Sequence, residues 1–478
     1  MAEDVSGAPA AAAAELRGGW AAASVLCLGV WLHAADSLLA ATVMPSAVRE
    51  IGGLGYIYWT VALYELGSIA AGAATGLLAI RLGLRAGMTI AALIYGVGCV
   101  ASALAPDMAV MLIGRTLQGL GGGWMMALSH VGVTQLFPAS AWPRLLAIVS
   151  GVWGVSALVG PLIGGVFASL GLWRGAFWAF AVQAVLVAAL VPVILTRTPR
   201  DERADAILPW YRLALLSGGV LAVLVAGVQR EAAVALLCLT AGGLMLWATL
   251  RLESTATVRL FPRRPLSLRA PWGPGYLMVL LLCFATISFG TYGAYFMETL
   301  YGTTPLVAGF VLATESVAWT ITAVLFAGAG PRTEPWLIRG GALAIAGGLV
   351  GLMVVMPTGP VEALLPWAFL QGGGFGACWS FLIRRIVESV PAEEREQATS
   401  SVPTMQLLGY ALGAAASGVV VNMSGLTETA PRAIVESASF WVFAAFVPAA
   451  AAGIWAAWRV GAPMVRVGAG PHGSTGSP

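Results

Sequence analysis

Residues 112–123 read LIGRTLQGLGGG, an otherwise apolar helical stretch that carries an arginine and a glutamine and ends in three consecutive glycines. An ionised arginine in hydrocarbon is costly, so such a side chain usually faces a partner charge or a water-filled cavity. The glycines remove side chains from one helical face and let another backbone approach closely. The stretch therefore predicts a membrane helix that packs tightly and carries a charge of functional interest.

The stretch recurs later in the chain. The pattern Leu-Gln-Gly-x-Gly-x-Gly at 117–123 returns at 370–376, an offset of 253 residues, and the same offset relates Gly160 to Gly413. A constant offset across about 50 residues indicates duplicated helices. Duplicated halves with small-residue helices are typical of transporters whose halves rock against each other.

Composition limits the class of protein. The chain has 478 residues, of which 59% are hydrophobic and 10% are charged. A soluble domain has about 25% charged residues, so this composition indicates an integral membrane protein. The net charge of +3 is too small to indicate a nucleic-acid partner. The five cysteines lie in apolar stretches without paired spacing, and we expect neither disulfides, a metal site nor a cofactor.

A spanning helix needs about 20 mostly apolar residues. On this criterion we predict an all-α integral membrane protein with two pseudo-symmetric six-helix bundles and two extra central helices. Twelve helices remain an alternative, because the pair at 212–228 and 232–250 is the least secure. The fourteen predicted spans are 20–45, 56–80, 86–105, 108–136, 144–170, 175–196, 212–228, 232–250, 274–300, 305–329, 337–356, 362–388, 397–422 and 437–458.

These spans divide the chain into seven segments. The predicted segments are an N-terminal disordered tail (1–19), a six-helix bundle (20–196), a cytoplasmic linker (197–211), two extra helices (212–250), a basic cytoplasmic linker (251–273), a second six-helix bundle (274–458) and a C-terminal disordered tail (459–478).

Arginine placement predicts the orientation. With a cytoplasmic N-terminus, twenty of the 25 basic residues, all arginines, fall on the inner side and four on the outer side, while Arg115 lies within the membrane. This distribution is a strong positive-inside bias. We therefore expect a multi-pass protein of the plasma (inner) membrane with both termini in the cytoplasm.

Charges within membrane spans are functional candidates by default. Counted at about 1.5 Å per residue from the outer helix ends, Asp36, Glu65, Arg115 and Glu315 all lie about 10–15 Å deep. One hypothesis is that Asp36 or Glu65 alternates between a proton and Arg115 as its electrostatic partner, with His33 as a further relay candidate. The alternative is a structural ion pair that locks the first bundle together.

A second motif, at 156–165, places small residues at a spacing of four. The spacing predicts a flat face for close helix packing, and the proline bends the helix. Without other signals it indicates no more than a tightly packed helix pair. Its residues are Ser156, Gly160, Pro161, Gly164 and Gly165.

Together these motifs resemble the major facilitator superfamily, and within it the fourteen-helix drug:proton antiporters. Arg115-Thr116-x-Gln118-Gly119 resembles the arginine motif of the family's helix 4, and 156–165 resembles its antiporter motif on helix 5. The stretch 36–45 resembles the acidic motif of helix 1, and 59–66 the start of helix 2.

The cytoplasmic gate loop between helices 2 and 3 departs from the family pattern. Gly76, Arg81, Gly83 and Arg85 match it, but Ile80 stands where the family has an aspartate. The family uses that acid to hold the cytoplasmic side closed.

The resemblance implies a monomeric proton-coupled exporter of small lipophilic or cationic compounds that works by alternating access in a lipid bilayer. Its partners would be a small-molecule substrate and protons, and the proton would be the coupling ion. We expect Tyr64, Gln118, Trp153 and Trp319, with His33, to line the substrate cavity. The alternatives are a transporter of the same fold for a lipid or a specific metabolite, which could run inward, and more remotely a membrane-embedded transferase.

Overall fold

The structure is a computed structural model that describes residues 19–195, 210–229, 231–256, 262–391 and 394–460. Most of the predicted 197–211 linker and most of both predicted tails lie outside these residues, and residues 210 and 211 of that linker belong to the helix that follows it. The regular structure of the described part is helical, without strands. Its helices are α1 (Trp20–Ile51), α2 (Ile57–Ala103), α3 (Met108–Leu136), α4 (Trp142–Ser169), α5 (Trp173–Ile194), α6 (Trp210–Ala226), α7 (Ala232–Thr255), α8 (Gly273–Tyr301), α9 (Pro305–Phe326), α10 (Glu334–Val355), α11 (Leu365–Ser389), α12 (Arg395–Met423), α13 (Arg432–Ala444) and α14 (Val447–Val460).

Two of these elements need a separate count of crossings. Helix α2 bends sharply at Gly83, whose φ of 76° and ψ of 160° glycine adopts readily, so it forms two crossings, α2a (57–82) and α2b (84–103). Helices α13 and α14 together make one crossing. The described helices then supply fourteen crossings, which confirms the prediction of fourteen rather than twelve. Ten of these crossings are long and apolar enough to span a membrane by length and composition alone, and α6 is a shorter apolar helix.

Helix α1 is longer than predicted. We expected it to end at Pro45, but it continues through this proline to Ile51. Membrane helices tolerate proline because neighbouring groups satisfy the backbone carbonyl that the proline leaves free. Asp36 consequently lies about 22 Å along the helix from its end rather than the predicted 13 Å or so.

The bundle has two ends, which we name by a glycine at each. The Gly52 face holds the end of α1 and the beginnings of α3 and α9. The Gly83 face holds the beginning of α1, the bend in α2 and the beginning of α8. Helices alternate between the two faces, as the short connections require.

The repeated glycines make the same helix contacts in both halves. A Cβ on Gly119 would lie 2.1 Å from the Tyr64 carbonyl oxygen of α2a, and one on Gly372 would lie 1.9 Å from the Glu315 carbonyl oxygen of α9. A turn later, a Cβ on Gly123 would meet Ser68 at 2.4 Å. These backbones are in direct contact, without side chains between them. Helices α3 and α11 therefore have the same packing role in two similarly built bundles.

A methyl group tests the first of these contacts. Gly119→Ala should lower the free energy of unfolding by about 1–3 kcal/mol, the usual cost of overpacking, because the Tyr64 backbone cannot move without shifting α2a. Gly72→Ala on α2a is the matched control, since no atom of another helix lies within 4 Å of a Cβ built there. The measurement is unfolding of the purified protein in detergent with increasing SDS. Equal stability of the two variants would contradict the close approach of α2a and α3.

Candidate functional site

Arg115 and Asp36 form an ion pair inside the first half. Arg115 projects from α3, and its Nη1 donates to Asp36 Oδ2 on α1 at 3.0 Å. Both residues are 0% exposed. The pair therefore neutralises the guanidinium within the protein, as a charge inside a membrane bundle requires.

Three further groups hold the guanidinium in place. Arg115 Nε donates to the Thr60 carbonyl oxygen at 3.3 Å, and Nη1 also donates to Gln118 Oε1 at 3.1 Å. The Arg115 Cζ lies 4.3 Å from the centre of the Tyr64 ring. Gln118 in turn accepts from Ser102 Oγ and donates to Cys99 Sγ, which ties the cluster to α2b. The cluster thus connects α1, α2a, α2b and α3.

His33 extends this cluster toward α4. Its Nδ1 lies 3.0 Å from the Tyr64 hydroxyl, which also donates to the His33 carbonyl oxygen. The imidazole stacks on the Tyr64 ring and meets the Trp153 ring edge-on, with centroids 5.7 Å apart. His33, Tyr64 and Gln118 are almost wholly buried, so a substrate cannot touch them in this conformation, whereas Trp153 is partly exposed.

Glu65 differs from Asp36 because no described residue pairs with it. It follows Tyr64 on α2a and is 7% exposed. Its Oε2 is buried without a hydrogen-bond partner among the described residues. An unpaired buried carboxylate is costly when ionised and inexpensive when neutral. Glu65 therefore has the surroundings of a carboxyl that holds a proton in this conformation.

The second half carries its acid differently. Glu315 on α9 accepts a hydrogen bond from Gln371 Nε2 at 3.1 Å. The repeat places Gln371 at the position of Gln118 and Ala368 at that of Arg115. Gly372 of α11 faces the Glu315 backbone as Gly119 of α3 faces the Tyr64 backbone. Glu315 is therefore the counterpart of Tyr64 in the repeat, one residue from the counterpart of Glu65. In this half, therefore, the acid is hydrogen-bonded to an amide side chain instead of a guanidinium.

Trp153 and Trp319 lie where the two halves meet. A Cβ on Gly154 of α4 would lie 3.4 Å from Thr320 Oγ1 of α9. Trp153 and Trp319 each directly precede one of these two contacting residues, so they lie at the same height along the interface. Trp319 stacks on Phe375, with ring centroids 5.1 Å apart, and packs against Trp379. The partly exposed Trp153 and Trp319 thus come from opposite halves, and the structure brings them to the same interface.

The small-residue motif of α4 contacts both halves. A Cβ on Gly160 would lie 2.6 Å from the Ala35 carbonyl oxygen of α1, and one on Gly165 would lie 2.9 Å from Leu306 Cα of α9. Thr42 Oγ1 donates to the carbonyl oxygen of Pro161 at 3.1 Å. A Cβ on Gly164 would collide with that hydroxyl at 2.2 Å. Ser156 Oγ is buried and has no hydrogen-bond partner in the described part of the chain.

The gate loop surrounds the bend at Gly83. Arg81 is exposed and Arg85 is partly buried, and the carbonyl oxygen of Arg85 accepts from Thr89 Oγ1. The surroundings of Gly76 and Ile80 lie outside what the structure describes.

Polar contacts between the halves cluster at the Gly52 face, and we did not predict them from the sequence. Arg49 Nη1 donates to Glu298 Oε2 at 2.6 Å, and Asn422 Nδ2 donates to the Gly55 carbonyl oxygen at 3.1 Å. The backbone N–H of Gly53 donates to Glu428 Oε1, and that of Leu306 to Ser169 Oγ. Glu298 alone had a sequence signal, as an acid near a helix end. These contacts close the Gly52 face.

The major facilitator superfamily model matches residues 26–361 of this chain. The chain belongs to the Major Facilitator Superfamily. A curated member from Mycobacterium tuberculosis, named "Probable multidrug-efflux transporter", is 31% identical over 454 residues, which cover 91% of this chain and 93% of that protein. A multidrug transporter protein of Bacillus subtilis is 25% identical over 417 residues, covering 83% of this chain and 74% of its own length.

Solved structures of the superfamily share the fold. A D-xylose-proton symporter superposes with a TM-score of 0.66 at 18% identity, covering 92% of this chain and 97% of the symporter. A peptide transporter gives a TM-score of 0.67 at 16% identity, covering 92% and 95%. The chain is therefore a multi-pass membrane transporter with the superfamily fold, and not an enzyme.

The Asp36–Arg115 pair predicts an unequal response to single and double substitution. Asp36→Asn should lower the free energy of unfolding by about 3–5 kcal/mol, because it leaves the guanidinium buried without an anion. Adding Arg115→Gln should restore most of that loss. The measurement is SDS-induced unfolding of the single and double variants.

Glu50→Gln is the matched control for this cycle. Glu50 pairs with Arg174 at the surface of the Gly52 face, where solvent screens both charges, so its loss should destabilise the protein far less than the loss of Asp36. If Asp36→Asn were no more destabilising than Glu50→Gln, the buried pair would not hold the first half together.

Proposed function

We propose that this transporter exports small lipophilic or cationic compounds in exchange for protons, by alternating access across the plasma (inner) membrane. The observation that carries the proposal is Glu65, a nearly buried carboxyl with no described partner, on the helix that packs against Arg115. One acid in the first half is thus neutralised by a guanidinium, whereas Glu65 has no ion-pair partner among the described residues and would be neutralised by a proton.

Movement of the halves would change the surroundings of Glu65. Helix α2a contacts α12 of the second half at the Gly52 face, where a Cβ on Gly418 would lie 2.2 Å from the Tyr58 ring. If this face opens, α2a loses that contact and its acid meets water. Glu65 would then release its proton or exchange it, which couples the proton to the conformational change. Asp36 and Glu315 are further carrier candidates.

In the proposed orientation, export would run from the Gly83 face to the Gly52 face. The positive-inside bias places the Gly83 face in the cytoplasm and the closed Gly52 face outside. A conformation that is closed on the outside would receive a substrate from the cytoplasm. Opening of the Gly52 face would release it outside while protons enter.

The proposed substrates suit the interface between the halves. Trp153 and Trp319 offer aromatic surface there, and aromatic faces bind cations and flat apolar groups. Glu315, one turn before Trp319, adds a negative charge when ionised. The relatives from Mycobacterium tuberculosis and Bacillus subtilis are named multidrug transporters, which is compatible with the transport of varied small molecules.

Transport in proteoliposomes tests the proton carrier. With a fluorescent lipophilic cation such as ethidium, an imposed pH gradient should drive accumulation by the wild type. Glu65→Gln should reduce this accumulation at least tenfold, because the amide cannot release a proton. The same variant should retain exchange of labelled for unlabelled ethidium at zero gradient, which needs no net proton movement. Asp36→Asn should also abolish gradient-driven accumulation.

Glu362→Gln is the control, since Glu362 is an exposed acid at the Gly52 face. It should keep the wild-type response to the gradient. Full gradient-driven activity in both Glu65→Gln and Asp36→Asn would overturn the proposed mechanism. If ethidium instead moved in the same direction as the protons, the protein would be a proton symporter, which fits the alternative of an importer with the same fold.

A further inference from the structure

Helix α6 reaches the place where the two halves meet at the Gly52 face. Its buried residues Leu216, Val220 and Leu224 recur every four positions, so one stripe of the helix faces the protein. The stripe packs between α2a of the first half and α12 of the second. Helix α7, by contrast, exposes Leu237 at 68% and packs along α6.

The first half holds the end of α6 through Tyr58. This side chain is 0% exposed, and its hydroxyl donates to the Leu224 carbonyl oxygen at 2.9 Å. The Leu224 carbonyl oxygen also accepts from the backbone N–H of Gly227 at 3.1 Å, so the Tyr58 hydroxyl is a second donor to the last turn of the helix. A Cβ on Gly227 would lie 2.3 Å from the Tyr58 hydroxyl oxygen, which shows how closely the two elements fit.

The second half holds the same end through Asn422. Its Nδ2 donates to the Gly227 carbonyl oxygen at 2.8 Å and to the Gly55 carbonyl oxygen of the first half at 3.1 Å. The end of α6 is therefore bound by one side chain from each half. We call Tyr58, Asn422 and residues 224–227 the clasp.

The other end of the pair is anchored independently of the clasp. Arg212 of α6 and Glu253 of α7 form a buried ion pair, and Leu213 packs against Ala74 of α2a. A Cβ on Gly242 of α7 would lie 2.8 Å from the Gly219 carbonyl oxygen of α6. The two extra helices thus pack as one unit, which contacts α2a of the first half at this end.

We propose that the extra helix pair controls the transport cycle by clasping the Gly52 face shut, with Asn422 as the positioning residue that α6 releases when the halves separate there. Helices α2a and α12 cannot part while α6 is bound to both. The clasp therefore favours the state that is closed at the Gly52 face, and its strength sets how often that face opens.

Distances between spin labels on the two halves test the clasp. Leu104→Cys in the first half and Leu365→Cys in the second are exposed sites at the Gly52 face. The partly exposed Cys27 and Cys238 would be replaced by serine, and the three buried cysteines left in place. Tyr58→Phe should raise the ratio of open to closed distances about five-fold, as expected for the loss of one net hydrogen bond. Asn422→Leu should raise it at least as much.

The double variant separates a clasp from two unrelated contacts. Tyr58 and Asn422 act in series through α6, so Tyr58→Phe/Asn422→Leu should shift the ratio no further than Asn422→Leu alone. Independent sites add in free energy, so their effects on the open-to-closed ratio multiply. If the double variant changed the ratio by the product of the two single changes, the proposal would be overturned. Gly227→Ala should also raise the ratio, since its methyl group pushes α6 away while leaving both side chains intact.

Tyr276→Phe is the matched control. Its hydroxyl donates to the Ala398 carbonyl oxygen and lies 2.6 Å from Ser401 Oγ, both within the second half near the Gly83 face. It should leave the distances unchanged, and the clasp is refuted if Tyr58→Phe behaves like it. The clasp rests on alternating access but not on proton coupling. A single closed distance in every variant would refute both the clasp and the opening of this face, whereas two distances with an unchanged ratio would refute the clasp alone.

Discussion

A guanidinium inside a helix bundle in a membrane has to be neutralised by the protein, and the structure of the first half follows from this constraint. Arg115 needs an anion, which Asp36 supplies from α1 at 3.0 Å, and acceptors, which Thr60 and Gln118 supply. Asp36 and Thr60 come from neighbouring helices, and the glycines of α3 let the backbones of these helices approach it closely. The charge and the close packing therefore depend on each other.

The two halves share this packing but not this charge. The glycines of α11 contact α9 as those of α3 contact α2a, and Gln371 stands where Gln118 stands. Ala368 replaces Arg115, and the acid of the second half is Glu315, level with Tyr64. The two halves of the duplicated scaffold thus differ. The first half contains a buried ion pair, and the second contains an acid that is hydrogen-bonded to an amide side chain. The two halves therefore differ in the group that contacts their buried acid.

Several parts of this description followed from local chemistry that is readable in the sequence. The crossings followed from apolar length, the duplication from a constant offset, and the buried charges from their positions within spans. Pro45 misled us about the end of α1, because proline weakens a helix locally while neighbouring helices decide whether it ends. The prediction of a cavity lined by Tyr64 and Gln118 remains untested, and in this conformation both are buried in the first half.

The amino-acid sequence alone therefore indicated a membrane transporter of twelve or fourteen helices with buried charges in both halves, since hydrophobic length and glycine spacing act within single helices. The tertiary structure decided which acid has a partner: Asp36 meets Arg115, while Glu65 finds no donor among the described residues. It also decided that Tyr58 and Asn422, 364 positions apart, hold the same end of α6. Such pairings depend on how helices are oriented around one another, and no spacing along the chain records that orientation.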